Sequence, residues 1–408
     1  MKRRKIKDLL ADRSIVELQD GNHGEKHPTA SDYVDDGIPF VMARDFRDGQ
    51  IDLRSACKIP KALGDSLRVG FAKTGDVLLT HKGTIGLVAI VPDVPSYVML
   101  TPQVTYYRTN SEKLLNSYLK YVFQAPSFRH QLASFSAQST RPYVGITAQR
   151  ELEIEVPPLD VQRQIADVLS NYDEMIDNSQ RRSRILESMA RALYCEWFVH
   201  FRFPGHEGTS WMESCVGRVP TGWDIVAFTD VADVLSGGTP KTSVAEYWNG
   251  EVPFFTPRDA PECFYVQETE KHVTRLGLSK CASELYPPDT VFITARGTVG
   301  KVALSSVPMA MNQSCYALRA KGGISQRYLF LQTLQQVDYL KTNTGGATFD
   351  TIVVDTFSRM QVLRPPRSVV AEFDKRVEAM FDQIKTLQHQ TRNLCHTRDL
   401  LIPRLLSA

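Results

Sequence analysis

The sequence predicts an α+β protein made of one unit written twice. Each copy is a mixed strand-and-helix globule followed by a long helix, and the two helices pack as an antiparallel coiled-coil pair. Three observations carry this prediction. Blocks of the first half recur in the second at a nearly constant offset. After a double proline, each half switches from short apolar runs to a seven-residue apolar period. The length, 408 residues, exceeds one ordinary compact domain but suits two or three units, each able to bury a core.

The repeat is legible residue by residue. Residues 38–45 (IPFVMARD) align with 252–259 (VPFFTPRD) at an offset of 214, with four of eight pairs identical. At the same offset, 77–90 (VLLTHKGTIGLVAI) align with 291–304 (VFITARGTVGKVAL), with seven of fourteen identical. Small deletions then shift the register. Gln103, Tyr106, Tyr118 and Leu119 meet Gln313, Tyr316, Tyr328 and Leu329 at 210; Thr140 meets Thr348, and Pro157-Pro158 meet Pro365-Pro366, at 208. Shared composition cannot hold offsets this steady.

Within each copy, short apolar runs such as 76–80, 86–91 and 104–107 are punctuated by Gly, Pro and Asp, the pattern of short strands and turns. Segments 118–123 and 328–334 suit short helices. No regular strand–helix–strand alternation is visible, so a doubly wound sheet is not expected. The long helices follow. Ile165, Tyr172, Ser179, Leu186 and Leu193 form one seam, with Leu169, Ile176, Ser183, Ala190 and Trp197 four residues on. The second copy repeats it with Phe373, Met380, Leu387, Leu394 and Leu401, alongside Val377, Ile384, Thr391, Arg398 and Leu405. Each helix should run roughly 35 residues, about 50 Å long. Such a stripe needs cover, and symmetric copies in one chain favour an antiparallel pair about a pseudo-twofold axis. The alternative is that each helix packs only on its own globule. Ser179 and Ser183 suggest a looser waist. The domains expected are 1–155, 156–210 (helix and linker), 211–362 and 363–408 (second helix).

Composition excludes several classes. Hydrophobic residues make up 42% and charged residues 23%, the balance of a globular protein rather than a disordered one. No run of about 18 apolar residues suggests a membrane span. The basic start, Met1 to Lys7, resembles the head of a signal peptide, but Asp8, Asp12 and Arg13 break the apolar stretch that should follow. The seven cysteines are scattered without a CxxC pair, which points away from a zinc site or disulfide framework and toward a reducing cytoplasm.

Catalytic motifs are not found. The Gly297–Lys301 stretch lacks the first glycine of a phosphate loop, because Ala295 stands there, and Val302 replaces the required Ser/Thr; a tight turn between strands is the simpler reading. Tyr286-Pro-Pro-Asp has the wrong order for an amino-methyltransferase motif, and neither Pro-Asp pair (92–93, 288–289) is followed by the Glu-x-Lys of a restriction-type nuclease. His81 meets Ala295, so a paired catalytic histidine is not expected. No nucleophile–base constellation stands out.

The order of several segments resembles the specificity subunit of type I DNA restriction-modification systems over essentially the whole chain. They are Gly-Ile-Pro-Phe…Arg-Asp at 37–45, Gly-Thr-x-Gly at 83–86 and 297–300, and Ser-Gly-Gly-Thr-Pro at 236–240. Pro-Pro-Leu-x-x-Gln-Arg-Gln-Ile at 157–165, the run from Glu196 to Glu207 and Val-Pro-x-Gly-Trp at 219–223 complete the set. The segment 20–24 (DGNHG) with His27-Pro28 also resembles one subtype of target recognition domain. The resemblance implies two target recognition domains, each reading half of a split double-stranded DNA sequence. The paired helices would hold the two apart and dock two DNA methyltransferase subunits, with restriction/translocase subunits in the full complex. It implies a non-catalytic, cytoplasmic prokaryotic protein of phage defence with no cofactor or metal of its own; S-adenosylmethionine, Mg²⁺ and ATP would sit on the partners. Two other classes stay open: a free-standing regulatory DNA-binding protein with an internal coiled-coil clamp, and an enzyme with an unrecognised site.

Phosphates call for Arg/Lys and glycine-loop N–H groups, and bases for polar side chains aimed into a groove. The DNA-binding candidates are therefore Lys82, Gly83 and Thr84 in the first copy, with Arg296, Gly297, Thr298 and Lys301 in the second. Ser139, Thr140 and Arg141, with Thr348, follow from the family pattern. Arg44 and Arg258 qualify too, although Arg-Asp at a strand end serves equally as an internal ion pair. The loops at His23 and Lys241 are candidates for base contacts. Charge is modest throughout. Segments 1–155, 156–210, 211–362 and 363–408 carry 21, 6, 13 and 8 basic residues against 18, 8, 15 and 5 acidic ones, or +3, −2, −2 and +3. The chain alone should grip DNA modestly, with partners supplying much of the phosphate contact.

Overall fold

A computed structural model describes residues 3–24, 26–47, 49–136, 143–214, 217–343 and 352–407. The chain forms two compact units, Met1–Ile176 with Asn393–Ala408, and Asp177–Arg392, so that the division runs through both long helices. It is an α+β architecture of mixed sheets and long helices, as the sequence predicts.

The first unit holds two four-stranded sheets. In one, Val104–Thr109 lies between Ile15–Asp20 and Val77–Thr80, and Val88–Ile90 follows at the edge; all pair antiparallel. In the other, Ile38–Val41 pairs in parallel with Val98–Leu100 and antiparallel with Lys58–Ile59. The unbroken apolar run at 77–79 is explained by burial on both faces. Val77 and Leu79 point toward the helix Asn116–Gln124, with Tyr118 and Phe123, while Leu78 joins Val41, Val98 and Leu100 between the sheets.

The second unit repeats this plan. Cys315–Ala320 lies between Ala232–Ser236 and Val291–Thr294, followed by Val302–Ser305 and a parallel edge strand, Tyr265–Val266. Val291 and Ile293 face the helix Gln326–Asn343, and Phe292 sits between the sheets with Phe255 and Met311. One detail of the sequence alignment is corrected. Val104 pairs with Thr80, and Cys315 with Thr294, so these strands correspond at an offset of 211, not 210. Tyr106 is thus the counterpart of Ala317 rather than Tyr316. The repeated tyrosines coincide in sequence, but a one-residue slip puts them on opposite faces of the sheet. The offset returns to 210 in the helices, where Tyr118 and Tyr328 donate to the carbonyls of Glu155 and Leu363.

The long helices are Leu159–Tyr194, continued by a π-helical turn at Cys195–Val199, and Arg367–Leu406. Within each unit they run antiparallel. In the first, Ile165 and Leu169 share a core with Leu401, Ile402 and Leu405. In the second, Ala190, Tyr194 and Trp197 share one with Phe373, Val377, Phe381 and Ile384. Ile165, Leu169, Ile176, Phe373, Val377, Ile384 and Leu387 are buried; Tyr172, Leu186, Leu193, Met380, Leu394 and Leu401 are half-buried. The buried stripe is wider than the two heptad series, because Gln162, Ala166, Val370 and Phe381 also face inward. These helices pack on a partner helix and on a globule at once, which broadens a coiled-coil seam into a globular helix face. Ser179 and Ser183 do not mark a loose waist. Both are buried, and Ser183 accepts from Gln388 at 3.4 Å. No described helix is long and apolar enough to cross a membrane.

Candidate nucleic-acid interface

Each unit carries the same loop, built by the same hydrogen bonds. In the first, the Thr80 amide donates to the Leu87 carbonyl at 2.9 Å, the Thr80 hydroxyl oxygen accepts from the Leu87 amide at 2.9 Å, and the Gly86 amide returns to the Thr80 carbonyl at 2.9 Å. In the second, Thr294 makes the corresponding bonds to Lys301, at 2.9 Å each way, and Gly300 to Thr294 at 2.8 Å. The turn needs left-handed backbone at Gly83 (φ +76°) and Gly297 (φ +79°), which is why both tips carry glycine. A Cβ at either position would meet nothing within 4 Å, so both tips stand clear of their own unit. Their backbone is open to close approach by a phosphate.

Other segments converge on each loop. In the first unit, the His81 amide donates to the Gln103 carbonyl at 2.9 Å and the Val144 amide to the His81 carbonyl at 3.0 Å. Lys82 bridges to Tyr143. The His81 ring lies against Asp20, where the 20–24 loop begins, with Nε2 3.6 Å from Oδ1. In the second unit, Ala295 donates to Ser314 at 2.8 Å and Ile352 to Ala295 at 3.0 Å. Thr239, in the 236–240 segment, donates to Gln313. The glycine loop therefore gathers a strand-end loop and the segment before the long helix, twice over.

The predicted residues are placed as follows. Lys82, Gly83, Thr84, Arg296, Gly297 and Thr298 are exposed at the two tips. Lys301 is half-buried, and its ammonium pairs with Glu262 at 2.7 Å. His23 is exposed; its Nδ1 donates to the Gly21 carbonyl at 2.9 Å, which fixes the ring over its own loop. Lys241 is exposed, and its carbonyl accepts from the Trp248 indole at 3.2 Å. Arg44 has other partners. It donates to Cys57 Sγ at 3.0 Å and stands 3.8 Å from Asp45. Arg258 is exposed, while its neighbour Asp259 accepts from the Thr256 and Glu270 amides, both at 2.8 Å. Ser139, Thr140, Arg141 and Thr348 lie outside the described residues.

Two groups escaped the sequence reading. Tyr143 is 43% exposed, its backbone bridges to Lys82, and its ring packs against His81 at 5.5 Å. Asp20 and His81 meet only through sheet pairing across 61 residues, which no local pattern signals. Burial pushes the His81 imidazole below its ordinary value, with Asp20 acting in the opposite sense. Burial raises the Tyr143 phenol, with Asp20 adding to it. The outward groups are cations, hydroxyls and backbone N–H, a set suited to binding a polyanion.

The chain is matched twice by the family described as type I restriction modification DNA specificity domain, over residues 14–188 and 220–393. It is similar to the type I restriction enzyme MjaIX specificity subunit of Methanocaldococcus jannaschii, at 29% identity over 203 residues, 47% of this chain and 46% of that protein. This match spans about half the length of that relative. The type I restriction enzyme HindI specificity subunit of Haemophilus influenzae is 22% identical over 397 residues, covering 82% of this chain and 86% of that protein. Among solved structures, the S subunit of the type I restriction-modification system from M. genitalium shares the fold. Its TM-score is 0.58 at 13% identity, covering 99% of this chain and 96% of that one.

Proposed function

The chain belongs to the type I restriction-modification DNA specificity family, and from that premise we propose that it reads a bipartite double-stranded DNA target, one half with each unit. As a member of that family it is a recognition subunit with two recognition domains, not a catalytic one. In the finer reading, 1–155 and 211–362 are the readers, while the helices in 156–210 and 363–408 set the gap between half-sites and dock two methyltransferase subunits. Restriction/translocase subunits join the full complex. S-adenosylmethionine, Mg²⁺ and ATP belong to those partners, and the assembly works in a prokaryotic cytoplasm against phage DNA.

The observation that carries this reading is the duplicated loop. Its backbone hydrogen bonds are the same in both units, yet the side chains around it differ, with His81 against Ala295, Lys82 against Arg296 and Leu87 against Lys301. A common scaffold with different surfaces is what reading two different half-sequences requires. Two readers joined through rigid helices contact sites at a defined spacing.

The test is co-expression with a type I modification subunit in a host lacking such a system, followed by methylome sequencing. A split methylated motif with a fixed gap is expected. A continuous motif, or methylation by this chain alone, contradicts the reading. Binding by the isolated chain should be weak and fall steeply with salt, since each reader is nearly neutral.

A further inference from the structure

Behind the first glycine loop lies a largely buried polar chain that has no counterpart among the described residues of the second unit. The Tyr107 hydroxyl donates to Gln149 Oε1 at 2.6 Å; Gln149 Nε2 donates to Thr105 Oγ1 at 3.0 Å and to the Val144 carbonyl at 2.8 Å; the Thr105 hydroxyl donates to Asp20 Oδ1 at 2.7 Å. His81 lies beside the Asp20 end of this chain without a hydrogen bond to it, its Nε2 3.6 Å from Asp20 Oδ1. It is 1% exposed, neither ring nitrogen has a hydrogen-bond partner among the described residues, and its ring packs at a tilt against Tyr143, 5.5 Å between centroids. The second unit places Ala295, Ser236, Tyr316, Phe357 and Leu318 at the positions of His81, Asp20, Thr105, Gln149 and Tyr107. There the Tyr316 ring packs on Phe357 at 5.6 Å where Gln149 holds Thr105.

The comparison separates fold from function. The backbone bonds that close the loop form equally well over the largely apolar set, so the polar chain is not needed to build the loop. Burying it is costly, because each polar group shut away from water must find a partner inside the protein. What it adds is connection. Asp20 opens the loop that carries His23, His81 precedes Lys82 and Gly83, and Gln149 holds the segment entering at Val144. A hydrogen-bonded buried network fixes one arrangement of the elements it joins, whereas apolar packing tolerates several.

We propose that His81, Asp20, Thr105 and Gln149 are positioning residues of the first unit, which lock its 20–24 loop, 82–84 loop and post-142 segment into one arrangement and so set the specificity of the first half-site. The proposal rests on the reading that these loops meet DNA.

The test uses His81→Ala and Gln149→Phe, which install the residues that the second unit carries on the same backbone, and the near-isosteric Asp20→Asn. Full-length chains are co-expressed with the modification subunit and the methylome is sequenced. Methylation at sites differing by one base in the half-site read by the first unit should rise at least about tenfold, with the other half unchanged. Hydrogen exchange on the full-length chain should speed up at 21–23 and 82–84 but not at 296–298, with the melting temperature held. If both halves keep their stringency and exchange at those loops is unchanged, the proposal is overturned. If the half-sites loosen together with a lower melting temperature, the network is merely structural and the proposal again fails. A wild-type chain giving no split motif would instead defeat the functional reading, while the exchange measurement would still decide whether the network locks the loops.

Discussion

Two carboxylates on the same helix, Asp173 half-buried and Glu187 buried, show how surroundings decide what a charge does. Asp173 accepts from Lys120 at 2.7 Å, from the Tyr121 hydroxyl at 2.7 Å and from Arg398 at 2.8 Å. Burial pushes its carboxyl up, but Lys120, Arg398 and Tyr121 outweigh that and hold it below the ordinary value. Its stabilisation is therefore full above the unfolded value of about 3.9 and is lost as pH falls through the lower folded value. Asp173→Ala leaves the half-buried Lys120 and the Tyr121 hydroxyl without this acceptor, while Arg398 keeps Asp399, and should cost about 1–3 kcal/mol, read as a lower urea midpoint at pH 7 and a smaller difference from wild type in strong acid. Glu187 has hydrogen bonds but, among the described residues, no buried cation at its oxygens: it accepts from the Phe264 amide and Gln388, both at 3.0 Å. Burial raises it, and stability falls as pH rises through the raised value. Glu187→Gln keeps an acceptor for the Phe264 amide, and thermal melting at neutral pH should show no loss.

At the scale of elements, the long helices are held by a face rather than a seam. Leu387 is fully buried and Leu394 half-buried, although both occupy the same heptad series. Leu387→Ala should cost about 2–5 kcal/mol, and Leu394→Ala clearly less. Equal losses in denaturant titrations would mean that the heptad pattern, not the three-dimensional face, governs stability. The sheets follow the same logic. Val77, Leu78 and Leu79 are all at 0% exposure because a helix covers one side of their strand and a second sheet the other.

At the scale of the whole molecule, the first unit is completed by the last stretch of the chain. Residues 393–408 belong with Met1–Ile176, supplying Ile402 to its core and Arg398 to Asp173. Deleting them removes cover from Ile165 and Leu169, far away in sequence. Hydrogen exchange in 159–173 should then accelerate markedly while the strands of the second unit keep their protection. Protection retained in both would show that the first unit closes without the final helix.

Much of this organisation was already written in the amino-acid sequence. Duplication, the antiparallel helix pair and the glycine loops depend on local period, turn chemistry and repetition, all one-dimensional signals. The exposed tips at Lys82–Thr84 and Arg296–Thr298 were legible for the same reason, since an invariant backbone turn leaves a glycine signature. Contacts that join distant segments were not legible. The slip to an offset of 211 depends on strand pairing, which identical tyrosines obscured. The engagement of Lys301 by Glu262 and of Arg44 by Cys57 depends on loops meeting in space. The set from Tyr107 to His81 assembles from four segments distant in sequence. Sequence determined which elements exist and that they come twice; only tertiary structure decided which polar groups are shut away together, because burial and its cost belong to packing and not to any residue alone.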